Sequence, residues 1–93
     1  MLSYNIATGK EYEGKNQAEL MGQIQKMNFK SVKWGTFLQW RDQNRKIVKG
    51  QHGISIFKGF GTFDEANKDG KLKTESRPLG FARVFNEDQT EAI

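Results

Sequence analysis

Residues 54–63, Ile54-Ser55-Ile56-Phe57-Lys58-Gly59-Phe60-Gly61-Thr62-Phe63, are β-branched and aromatic, and they read as a strand. Gly59 and Gly61 predict a bulge or bend within it. Two helical patterns precede this stretch. In the first, Asn16 is a candidate N-cap with Glu19 three residues on, and Leu20, Met21, Ile24 and Met27 form an apolar stripe that Asn28 closes. In the second, Thr36 caps a helix expected over residues 37–46, with Phe37 and Trp40 on one face and Arg41 and Arg45 on the next. A second strand is expected from Pro78 or Leu79 to Asn86, with residues 64–77 as a long exposed hairpin loop near whose tip Asp69-Gly70 lies. The acidic tail 87–93 is expected to fray. The fold class is therefore α+β, two helices packed on a small antiparallel sheet built around a C-terminal β-hairpin.

Ninety-three residues make one domain, residues 1–93, and 35% hydrophobic content with eleven aromatics allows one modest core. Self-association, as a homo-oligomer, would supplement it. With no cysteine, thiol catalysis, disulfides and thiolate zinc sites are excluded, which fits the reducing cytoplasm of a bacterial host cell. No apolar run approaches the roughly 18 residues that span a bilayer.

Charge is unevenly distributed. Residues 26–58 carry eight basic side chains against Asp42 alone, a net +7, whereas the rest of the chain is −3. Both tryptophans lie in that basic stretch, with Phe29, Phe37 and Phe57. Cations attract a phosphate backbone and flat rings stack unpaired bases, so the pattern points to single-stranded nucleic acid. The candidate phosphate contacts are Lys30, Lys33, Arg41, Arg45, Lys46, Lys49 and Lys58. Trp34 is the candidate stacking ring, and Phe57 and Phe60 are further candidates, although a tryptophan in a connector also serves as a buried anchor.

Enzymatic chemistry finds no support in the residues. His52 is the only histidine, so no two-histidine metal site exists, and no nucleophile motif is present. Residues 65–76 mimic a calcium loop but place Ser76 where the bidentate Glu belongs. Lys58-Gly59-Phe60-Gly61 matches half of the RNA-recognition octapeptide, yet Thr62 and Glu65 break it. Neither a catalytic residue, nor a metal site, nor a cofactor is expected.

The order of motifs resembles one family. It comprises Asn5, Thr8-Gly9, Tyr12, Gly14 and Asn16; then Trp34-x-Thr36-Phe37-x-Gln39; then Val48-Lys49-Gly50-x-x-Gly53; and finally Val84-Phe85-Asn86 with Gln89. Over about residues 5–90 it is similar to the N-terminal domain of the ArdC-type antirestriction proteins of plasmids and phages. The resemblance implies single-stranded DNA binding, and a stand-alone module lacking the metalloprotease-like domain that follows in the family. Trp40 stands where a small residue is expected, implying a repacked core or an added stacking surface. Single-stranded DNA is thus the expected partner, with a polymerase or other DNA-processing enzyme as a protein partner. Two alternatives stay open: an antirestriction or transcription-cofactor module docking an acidic protein, and an RNA binder.

Overall fold

A computed structural model of the protein describes residues 1–66, 70 and 72–93, with side chains for all of these except 63–66, 72 and 73. The first helix, α1 (Gly14–Met27), begins two residues before Asn16, which is not its cap. Gly14 turns the chain into the helix at a φ of +55°, and the side chain of the preceding Glu13 makes no capping bond. At the far end Asn28 adopts the left-handed conformation and its N–H bonds to the Gln25 and Ile24 carbonyls, closing the helix as expected. Leu20 is wholly buried, but Met27 is half exposed, so the apolar stripe stops short of the last turn.

Four strands make the main sheet: β1 (Tyr4–Asn5), β2 (Lys33–Gly35), β4 (Ile54–Phe57) and β7 (Phe81–Asn86), in the order β1-β2-β7-β4. β1 runs parallel to β2; the other pairs are antiparallel. One face is core. Trp34, Ile56 and Val84 pack with Leu20 of α1, and Tyr12, Ile24, Phe29, Ile54 and Ala82 surround them.

The second helix, α2 (Phe37–Asp42), has Thr36 as its N-cap, as expected, and Gln39 completes a capping box: Thr36 Oγ1 accepts from the Gln39 N–H at 3.2 Å, and Gln39 Oε1 accepts from the Thr36 N–H at 3.0 Å. It ends four residues before the expected Lys46. Asn44 takes a φ of +59°, and Arg45–Ile47 form β3, which pairs antiparallel with β8 (Thr90–Ala92). The tail is therefore not frayed. A 3₁₀ turn at Glu87–Gln89 leads into β8, and buried Gln89 donates from Nε2 to the His52 carbonyl at 2.8 Å while its Oε1 accepts from the Asn86 N–H at 2.9 Å. Polar side chains, not apolar ones, hold this end in place.

The expected loop over residues 64–77 is also largely strand. β5 (Phe60–Ala66) and β6 (Leu72–Pro78) pair along their whole length; of the expected tip, Gly70 is a bend and Asp69 lies outside the described residues. Each long strand expected from sequence is broken once, at Gly59 and at Gly80, with φ of +94° and +90°. These breaks lie opposite each other: the Lys58 N–H donates to Gly80 O at 2.9 Å and the Leu79 N–H to Gly59 O at 2.8 Å. One hairpin ribbon thus leaves the sheet as β4 and β7, bends at paired glycines, and continues as a β5–β6 arm. The molecule is 55 Å long by 27 by 23 Å, and its radius of gyration is 16.8 Å. A compact chain of this size would have about 12 Å. Among the described residues no helix is long and apolar enough to cross a membrane.

Candidate nucleic-acid interface

Strand alternation sorts β7 into two faces. Val84 and Asn86 are buried, Ala82 is packed on the core, and Phe81 and Arg83 are exposed on the opposite side. Phe57 is the cross-strand partner of Phe81, and Ser55 that of Arg83. The bend at the paired glycines then brings Phe60 of the arm back to the same place. The Phe57 ring lies 5.2 Å from Phe60 at 73° and 5.6 Å from Phe81 at 58°. The first contact is edge-to-face and the second tilted, and together they hold the rings as a unit. Phe60 is 67% exposed and Phe81 70%, a large aromatic area to leave in water. Arg83 continues the face: its stem passes over Gly53, where a Cβ would sit 2.4 Å from Arg83 Cγ and 3.0 Å from Phe85 Cζ.

Two hollows open beside the rings. A groove of about 660 Å³ runs between the segment ahead of α1 and the end of β4, and a hollow of about 450 Å³ lies against Phe57 and Phe81. Glu13, Asn16 and Phe57 line both. Lys10, Lys15 and Lys58 contribute positive charge around them, and Glu11 and Glu13 oppose it. Tyr12 also faces the groove. Burial pushes its pKa above the ordinary value, against a smaller lowering from the Asn5 amide that donates to its hydroxyl at 3.0 Å. The phenol stays neutral and keeps a proton to donate.

The sequence-derived residues divide accordingly. Phe57, Lys58 and Phe60 are brought together. Trp34 is not a stacking platform: it is wholly buried, because it sits on the inner face of β2, not in a connector. Its Nε1–H donates to Ser3 Oγ at 3.1 Å and its ring meets Phe29 edge-on at 6.1 Å. Trp40 is core as well, 1% exposed, with Nε1–H donating to the Phe85 carbonyl at 2.9 Å. Gly35 makes room for it, since a Cβ there would lie 3.2 Å from Trp40 Nε1 and 2.6 Å from Ile6 Cγ2.

Arg45 holds the C-terminal strand, donating from Nε to Thr90 Oγ1 at 2.7 Å and from Nη2 to the Thr90 carbonyl at 3.2 Å. Lys46 pairs with Glu91 at 3.4 Å. Lys30, Lys33, Arg41 and Lys49 are spread over the α1–β2 connection, β2, α2 and the connection after β3, and none lines the groove or hollow at the rings. Phe81, Arg83, Lys10 and Lys15 went unremarked in the sequence. The alternation Phe81-x-Arg83-x-Phe85 was the signal for the first two.

A family model described as the N-terminal domain of anti-restriction factor ArdC matches residues 1–90. Two crystal structures of the antirestriction ArdC protein from the R388 plasmid have the same fold. The metal-free structure gives a TM-score of 0.85 at 24% identity, over 100% of this chain and 33% of that one. The Mn(II)-bound structure gives 0.71 at 23% identity, over 99% and 35%. The chain thus spans about a third of the length of those proteins. No curated protein matches.

Proposed function

The chain belongs to the family of the N-terminal domain of anti-restriction factor ArdC, and on that premise we propose that it is a non-enzymatic binder of single-stranded DNA with little sequence preference. The observation that carries this reading is the solvent-open cluster of Phe57, Phe60 and Phe81 beside a lysine-bearing groove. Every base has a flat face, so stacking on such rings tolerates any sequence. A duplex hides those faces, and the rings therefore select unpaired strands. Lys58 and Arg83 flank the cluster and neutralise the phosphates that bridge stacked bases, and the net charge of +4 favours encounter with a polyanion.

One observation favours a protein partner instead. Leu79, 46% exposed, sits at the bend next to the rings and extends the apolar patch. In that reading the face docks a DNA-processing enzyme or polymerase.

Fluorescence anisotropy of labelled oligo-dT, its duplex and oligo-rU, at two salt concentrations, separates these readings. The expected result is salt-sensitive binding to oligo-dT over duplex, lost in the Phe60→Ala/Phe81→Ala double variant. Tighter binding of oligo-rU than of oligo-dT would make the protein an RNA binder. Absence of binding to all three at low salt would overturn the proposal in favour of protein docking.

A further inference from the structure

α1 grips the end of β4 near the rings through Asn16, and about 16 Å further along the helix, at 1.5 Å per residue, its last turn overlies the beginning of the same strand. A separate cavity of about 350 Å³ lies there, within the usual range of about 300–1,000 Å³ for small-molecule sites. Met27, Phe29 and Ile54 supply apolar walls, and Gln23, Gln51 and His52 supply polar ones. Phe29 is held by its edge contact with buried Trp34, so the aromatic wall is preformed. Among the described residues no lysine, arginine, aspartate or glutamate lines the space.

Gln89 also borders it but is already engaged. Its Nε2 donates to the His52 carbonyl at 2.8 Å and to Gln51 Oε1 at 3.3 Å, which fixes the loop carrying both residues. Among the described residues the Gln51 Nε2, the Gln23 carboxamide and the His52 ring have no hydrogen-bond partner. The cavity therefore offers donors and acceptors between apolar walls.

We propose that this cavity is a nucleobase pocket. A base is uncharged, flat and edged with donors and acceptors that carboxamides pair with, and its faces suit apolar walls. With no lysine or arginine lining the cavity among the described residues, it takes the base and leaves any phosphate outside. The inference does not depend on the ring cluster binding a strand: a free nucleoside and an unstacked base of a polynucleotide present the same edge. Where both hold, a strand on the rings could place a base here as a second anchor.

The test is a ¹H–¹⁵N NMR titration of the whole chain with the four deoxynucleosides and, separately, with oligo-dT. At least one nucleoside is expected to shift the Gln23 and Gln51 side-chain amides and the His52 amide saturably. Those shifts should vanish in Met27→Trp, which fills the cavity from a half-exposed position, and weaken in Gln51→Ala. If no nucleoside moves these signals, or if Met27→Trp leaves the shifts intact in a folded spectrum, the pocket is disproved. An oligo-dT response confined to Phe57, Phe60, Phe81 and Arg83, with the nucleosides silent, removes the pocket and keeps the single-strand reading. Nucleoside shifts without any oligo-dT response do the reverse.

Discussion

Asn16 grips the Phe57 peptide from both sides: its Nδ2 donates to the Phe57 carbonyl at 2.7 Å and its Oδ1 accepts from the Phe57 N–H at 3.1 Å. A side-chain carboxamide thus does at the open edge of β4 what a neighbouring strand would do. It ties α1 directly to the backbone of the residue that carries the central ring of the exposed cluster. The same residue type that would have capped the helix has been used to fasten helix to sheet.

Asn16→Ala strips both partners from a half-buried peptide and should lower stability by about 1–3 kcal/mol. Asn16→Asp should not rescue it, because an ionised carboxylate would face the Phe57 carbonyl. Urea midpoints of the two variants check this. An unchanged midpoint for Asn16→Ala would mean the clamp contributes nothing.

Rings that bind and rings that build should respond differently to truncation. Phe60→Ala or Phe81→Ala should weaken oligo-dT binding by about 1–3 kcal/mol with little loss of stability. Trp34→Ala should cost about 3–5 kcal/mol of stability, since it empties the core centre and strands Ser3. Thermal unfolding and anisotropy, run on the same samples, separate the two classes.

Charge variants should divide in the same way. Each phosphate contact to a single strand adds about −0.7 to the slope of log K against log salt. Lys58→Gln should make the slope shallower by about that much. Lys46→Gln should leave it nearly unchanged, because Lys46 already faces Glu91. Equal effects from both would imply binding by diffuse charge, not by a strand at the rings.

Tyr12 sets an alkaline limit. Its pKa is raised in the folded state above the ordinary 10.0, so its contribution to stability is fully present below pH 10.0 and is lost as pH rises through the raised value. The urea midpoint should fall over that range in the native protein. Tyr12→Phe should flatten that decline, and an identical profile in the variant would refute the assignment.

Much of this fold was legible because it is written locally. Thr36 caps α2 as its residue type predicts, and Asn28 stops α1 by a backbone conformation it tolerates well. The tail failed for the opposite reason. Glu87, Asp88 and Glu91 look solvated by composition, while the bonds that order the segment join Gln89 to His52 and Arg45 to Thr90, far away in the chain. The interface was half visible. Phe57, Lys58 and Phe60 are close in sequence, but Phe81 reaches them only through the β4–β7 register, which no local pattern states. Trp34 misled because its neighbours, Lys33 and Gly35, resemble a connector, whereas three residues of strand suffice to turn its ring inward.

The paired bend at Gly59 and Gly80 makes the reach of the arm an adjustable dimension. The bend lies in two backbone positions, and the bonds that follow it run between β5 and β6. Adding two residues to each arm strand would extend it by about 6.6 Å and keep every side chain on its own face. Adding one would turn the faces over. A lineage carrying this domain can therefore lengthen or shorten its span in even steps, like a ruler graduated in residue pairs, without disturbing Leu20, Trp34 or Val84.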